Sequence, residues 1–441
     1  MLNPKFTRRK FIASASTLVV ASQLPGAETK TSAADDTKIA LDGGAKSVKR
    51  TPAKVARFGQ PERERLEAML GQDALFYWNG PQTKIFLDRF QKICPLKHVM
   101  PCSSGTAALH IAVAAAGIAP GDEVITTPIT DMGTVIGILF QQAVPVFADL
   151  EPNTFNLSVA DVERRITPKT KAIIAVHLGG NPCDLIPLKA LADKHKLVLI
   201  EDCAQSWGAI YRGKPIGTVG HIACFSLQSS KQLTCGDGGL VASSDERFGP
   251  LLQKFGDKGM NRLNGGKFEV LGTNYRMSEP QAAVAAGQLT RIETITGTRA
   301  KMGELLTKEI SGIPGLTPHF VHAEDRCTFY FYMMRVQPGK FTCDRDKFVA
   351  ALRAEGVQAS AGYIPAVLYQ MDLFRQHNFF AGRWPVKEMG LTKMDYNQVK
   401  CPEAEAILKD CLRVTIHESM DEPYMLEVGA AVRKVAKHFA V

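Results

Sequence analysis

The chain has 441 residues, 45% of them hydrophobic, a formal net charge of +9 and ten cysteines. That length can bury a large core and suggests about two or three domains. No apolar run approaches the roughly 18 residues of a membrane-spanning helix, and no dense lysine and arginine block interleaved with aromatics argues for nucleic acid, which sets aside a membrane span in the mature chain and a nucleic-acid partner.

At the N-terminus, Thr7, Arg8, Arg9, Lys10 and Phe11 precede the apolar stretch FIASASTLVVAS and then small and polar residues. This is the pattern of a twin-arginine export signal. Residues 1–34 are read as signal and linker, and the mature chain is expected to be periplasmic or otherwise extracytoplasmic, or cytoplasmic if the signal is not used. The cysteines form no C-x-x-C pair and there is no H-E-x-x-H. They read as buried free thiols, with no metal site.

Along the body, short apolar runs alternate with helical patterns: His98 to Cys102, Glu123 to Thr127, Val144 to Asp149, Ala172 to His177 and Leu197 to Asp202. The intervening stretches are long enough for crossover helices, which predicts an α/β domain with a mostly parallel sheet over residues 35–290. A helical pattern from Gln281 to Ile310 bridges to an α+β domain over residues 291–441. There FYFYMMRV is strand-like, KFVAALRAEGV helix-like and YMLEVGAAVRKVAKHFA a closing amphipathic helix.

Three segments carry chemistry. In HVMPCSSGTAALHIAVAAAG a strand runs into Ser103, Ser104, Gly105 and Thr106 and then an alanine-rich helix, a natural phosphate site at a helix N-terminus. Ordinary capping would use the same letters. In LVLIEDCAQSWGA an apolar strand ends in Glu201 and Asp202, and ligands of open α/β sheets bind at such strand ends. In CFSLQSSKQLTCGDGGLVAS one lysine, Lys231, lies between a small-hydroxyl run and a glycine turn. Taken singly, Lys231 reads as a solvated surface group and Asp202 as a cap or ion pair. A phosphate cradle, a strand-end acid and an isolated lysine in that order suit pyridoxal 5'-phosphate (PLP), whose pyridine nitrogen needs a carboxylate and whose aldehyde needs an amine.

At these residues the chain resembles the DegT-like family of sugar and aminocyclitol aminotransferases, within the fold type I PLP enzymes. SSGTAAL, VPVFADLEPNTFNL, AVHLGGNPCDL, EDCAQSWGA, FSLQSSKQLTCGDGGL and GTNYRMSEPQAAVAAGQL stand in family order. The resemblance implies a large PLP-binding domain and a smaller C-terminal one. It makes Lys231 the Schiff-base lysine, places Asp202 at the pyridine nitrogen and Gln205 near the ring hydroxyl, and has Ser104, Gly105, Thr106 and Ser226 hold the phosphate. Asn274, in the NYRM block, is similar to a residue that reaches the neighbouring subunit's cofactor phosphate, which implies a homodimer with shared sites.

Two positions depart from the family pattern. Asp131, in TTPITDMGT, falls where an aromatic usually stacks on the cofactor ring, with Met132 beside it as an alternative apolar cover. Gly362 precedes Tyr363 where a His-Tyr pair is usual. The expected function is a PLP-dependent aminotransferase moving an amino group from glutamate or glutamine to a keto-sugar or keto-cyclitol. Asp131 and Gly362 favour the alternative of a PLP-binding or ligand-sensing protein without turnover. A dehydratase is disfavoured by the lysine, since family dehydratases resemble this pattern with histidine there.

Overall fold

The computed structural model describes residues 38–441. The twin-arginine segment therefore lies outside the described residues. Two helices, α1 (Gln60–Leu70) and α2 (Pro81–Ile93), precede the first strand, β1 (His98–Cys102). Strands and helices then alternate: α3 (Gly105–Ala115), β2 (Glu123–Thr126), α4 (Gly133–Phe140), β3 (Val144–Phe147), α5 (Val159–Arg165), β4 (Thr170–Val176), α6 (Leu185–His195) and β5 (Val198–Asp202). A small ribbon, β6 (Ile210–Tyr211) with β7 (Lys214–Pro215), leads to β8 (Ile222–Ser226) and β9 (Gly239–Ser243).

The main sheet has seven strands in the order β1-β9-β8-β5-β4-β2-β3. β9 runs antiparallel to both its neighbours and the remaining pairings are parallel. Its central strands are buried along nearly their whole length, as parallel strands covered on both faces require. The carboxyl ends of β5 and β8 and the N-termini of α3 and α4 come together at one edge, where a ligand site of such a sheet belongs.

After α7 (Gly249–Gly256) a hairpin of β10 (Met260–Asn261) and β11 (Lys267–Phe268) presents Leu263, Phe268 and Leu271 at 89%, 69% and 93% exposure. The bridging helix expected from Gln281 to Ile310 is two helices, α8 (Glu279–Leu289) and α9 (Ile292–Ile310). The Thr290 hydroxyl bonds back to the Gly287 carbonyl at 2.7 Å, and Arg291 leaves helical geometry at φ −113° and ψ 9°. The break lets the Arg291 guanidinium reach Glu62 of α1 at 2.8 Å. A continuous helix would forfeit this pair to a carboxylate that is 2% exposed.

A second sheet, in the order β12-β13-β15-β14, is built from β12 (Leu316–Thr317), β13 (Tyr332–Val336), β14 (Ala359–Ala361) and β15 (Cys411–Val414). It packs with α9, α10 (Arg345–Ala354) and the closing helix Glu422–Phe439 around a core of its own. Strand alternation divides its faces: Leu412 and Val414 enter this smaller core, whereas Cys411 and Met333 belong to the larger core around the seven-stranded sheet. Tyr369, Trp384 and Tyr396 also pack on the larger core, and Ile39 and Val48 on the smaller one. All ten cysteines are free, and among the described residues no helix is long and apolar enough to cross a membrane.

Candidate active site

A cavity of about 370 Å³ lies where these elements meet, and its wall includes Ser104, Gly105, Thr106, Asp202, Gln205, Ser226 and Lys231. Thus seven of the residues singled out in the sequence, spread over three separate blocks, share one wall. Asn274 does not line it within the single chain. That residue is exposed, in a segment bridged to Asp257 beside the β10–β11 hairpin.

Ser104 is the N-cap of α3, its hydroxyl accepting the Ala107 N–H at 3.0 Å. Gly105 follows because β8 approaches closely: a Cβ there would lie 2.7 Å from the Ser226 Cβ. The open helix terminus, with the Thr106 and Ser226 hydroxyls beside it, is a ready anion cradle. Gly133, at the start of α4, has the same constraint, since a Cβ would come 2.7 Å from the Thr106 hydroxyl.

Asp202 ends β5 at 3% exposure. Its two oxygens accept from the Thr134 hydroxyl at 2.8 Å and the Ala204 N–H at 3.1 Å, which fixes the carboxylate in the cavity wall. Burial pushes its carboxyl above the usual carboxylate range, and Ala204, Thr134, Lys231 and His177 offset that only in part. An acid held like this, with no ion pair among the described residues, lacks a cation. A protonated ring nitrogen would supply one, and on that ground the residues present fit PLP.

Glu201, one residue earlier, turns to the opposite side of β5. It accepts N–H bonds from Gly217 at 2.7 Å and Val219 at 2.9 Å, and His177 lies 3.3 Å away. With Cys203 these side chains gather three metal-type ligands, all buried. The carboxylate is already engaged by backbone amides and the Cys203 thiol is pushed well above its usual value by burial, which is how a structural clamp behaves.

Lys231 is half-buried in the loop between β8 and β9. Its N–H bonds to the Gln228 carbonyl at 2.9 Å and its own carbonyl accepts from Arg57 at 2.6 Å. The ammonium nitrogen stands 4.8 Å from the centre of the Tyr330 ring, within cation–π range. The Tyr330 hydroxyl is tied to the Ser230 hydroxyl at 2.7 Å. The Gln205 side chain accepts from the Gly179 N–H at 2.9 Å and donates to the Tyr363 hydroxyl at 3.1 Å. Tyr330, Tyr363 and Thr134 were not singled out as site residues in the sequence. Tyr363 entered the sequence reading only as the neighbour of Gly362, and the hydroxyl of Thr134 lies three residues past Asp131.

Asp131 sits in the cavity wall, exposed, with one oxygen accepting the Gly133 N–H at 2.8 Å at the start of α4. No aromatic ring occupies its place. Met132 packs against the larger core and is not part of the wall, so it is not the cover considered for the ring. Gly362 has φ +51°, a left-handed conformation natural to glycine.

A Caulobacter vibrioides GDP-perosamine synthase is 36% identical over 281 residues, 64% of this chain and 76% of that protein. A Streptoalloteichus tenebrarius protein provisionally named L-glutamine:3-amino-2,3-dideoxy-scyllo-inosose aminotransferase is 34% identical over 394 residues, covering 86% of this chain and 93% of its own length. The solved structure of an aminotransferase from Psychrobacter cryohalolentis superposes with a TM-score of 0.79 at 27% identity, over 88% of this chain and all (100%) of that one. The DegT/DnrJ/EryC1/StrS aminotransferase family model matches residues 58–433. With Lys231 and Asp202 in one cavity beside a helix-terminal anion cradle, the chain belongs to the DegT/DnrJ/EryC1/StrS aminotransferase family.

Proposed function

We propose that the chain transfers an amino group from glutamate or glutamine to a keto-sugar or keto-cyclitol, with PLP held by Lys231, Asp202, Gln205, Ser104, Gly105, Thr106 and Ser226. The observation that carries this reading is the placement of Lys231 and Asp202 in the wall of a single cavity. Bound PLP supplies an electron-withdrawing ring that stabilises negative charge at the reacting carbon. Asp202 keeps that ring's nitrogen protonated by supplying the counter-charge. The Lys231 amine anchors the cofactor and, once freed, moves the proton at the reacting carbon as general base and then acid. Tyr330 and the Ser230 hydroxyl hold the lysine's approach.

The chain loaded with PLP and mixed with glutamate or glutamine is expected to change from the absorption of the aldehyde form to that of the pyridoxamine form. Retention of PLP with no change for any amino donor would favour a binder without turnover, the reading that Asp131 and Gly362 favour.

The same proposal includes a homodimer in which Asn274 completes the neighbouring site. The exposed Leu263, Phe268 and Leu271 near it are apolar side chains of the sort an interface covers. Mixing inactive Lys231→Ala chains with inactive Asn274→Ala chains is expected to restore activity through heterodimers carrying one intact site. No recovery despite verified subunit exchange would remove the shared site. Export by the twin-arginine route would follow folding around the cofactor.

A further inference from the structure

The cavity wall carries three carboxylates, Asp131, Asp202 and Asp237, against one cationic side chain, Lys231. An anionic amino donor is repelled from such a wall unless another cation stands close by. Arg413 is placed to be that cation. Leu412 and Val414 enter the smaller core, so alternation along β15 turns Arg413 toward the larger one. Its guanidinium carbon lies 5.1 Å from the centre of the Phe331 ring and 5.4 Å from that of Tyr363. Tyr363 is itself a wall residue, bonded to Gln205.

Among the described residues Arg413 makes no ion pair and its side chain donates no hydrogen bond, and its Nε is buried without a partner. The neighbouring arginines are engaged. Arg335 pairs with Glu403 and Asp410, and Arg345 with Asp346 and the Leu408 and Cys411 carbonyls. A guanidinium taken partly out of water with its donors unpaired is costly unless a ligand brings the acceptors. Two aromatic rings flank its guanidinium, and a planar fork of parallel N–H groups matches a carboxylate.

We propose that Arg413 is the carboxylate receptor of this site, binding a carboxylate of the amino donor and selecting amino acids over simple amines. The assignment rests on the aminotransferase reading above, and its test does not depend on turnover. Calorimetric titration of the PLP-loaded chain with glutarate, which has no amine to transfer, and with its neutral diamide measures carboxylate binding alone. The wild-type chain is expected to prefer glutarate by about tenfold or more. Arg413→Gln is expected to lose that preference, and Arg413→Lys, which keeps the charge without the fork, to lose part of it. Melting curves check both variants, and the lysine variant decides the matter if the glutamine variant does not fold. No glutarate preference in the wild type, or equal glutarate binding by wild type and variants, overturns the proposal. A loss confined to inorganic pyrophosphate overturns it too, by assigning Arg413 to a diphosphate on the acceptor. The expected glutarate pattern in a chain that transfers no amino group would leave Arg413 in place and remove the functional reading instead.

Discussion

Lys231→Ala is expected to lose all borohydride-trappable cofactor and to slow amino transfer by about 10³-fold or more, since one side chain supplies both the covalent anchor and the proton shuttle. The fold should survive, because the side chain is half-buried and what the loop donates and accepts through the backbone, to Gln228 and from Arg57, does not depend on it. Mass spectrometry after reduction is the decisive measurement: reduced cofactor on any other lysine would displace Lys231 from the role.

Asp202→Asn is expected to cut turnover by about 10²- to 10³-fold, the usual loss when a fixed electrostatic partner of the reacting system is removed. An amide can contact the ring nitrogen but cannot balance its charge. Stability should move the other way. The folded-state carboxyl is pushed upward by burial, so the folded chain holds its proton more tightly than the unfolded chain does. Stability therefore falls as pH rises above the unfolded value of about 4, and ionisation weighs against the cofactor-free fold at neutral pH. The asparagine variant avoids that cost. Without cofactor it should melt above wild type at pH 7, and the gap should close below about pH 4, where both side chains are neutral. A variant that melts lower throughout would show that Asp202 is stabilised by its neighbours instead. Near-normal turnover would place the ring acid elsewhere.

How much of this was legible in the sequence depended on whether the signal was local. β1 was readable at its exact bounds, His98–Cys102, because a buried strand needs only an apolar run and a turn to announce it. α1 left little trace, since only Glu62 and Met69 along it are buried and its other leucines, Leu66 and Leu70, mark no buried stripe. The break between α8 and α9 was invisible because the contact it permits, Arg291 with Glu62, joins residues 229 positions apart. The site divides in the same way. Lys231, Asp202 and the Ser104 to Thr106 turn lie in blocks whose own letters carry the chemistry, so order along the chain sufficed to link them. Tyr330 meets Ser230 across 100 residues, and Arg413 gains meaning only when β15 turns it toward Tyr363. No window of sequence contains either relation.

The end of β5 is the place where the molecule has least freedom to change. Glu201 and Asp202 are adjacent acids of nearly equal chemistry, and the pleat alone sends one to clamp the Gly217 to Gly220 turn and the other into the cavity. Displacing the strand by one position one way would put the longer acid where the ring nitrogen is met and leave the turn's amides facing Ile200, and the other way would set the shorter Asp202 against the turn and Cys203 in the cavity. An insertion or deletion anywhere between α6 and β5 that is not absorbed in the loop would thus abolish chemistry and local folding together. Divergent copies of this chain should accumulate length changes elsewhere and keep that count of residues intact, which makes the spacing from His195 to Asp202 a mark of retained activity beside the identity of the two acids.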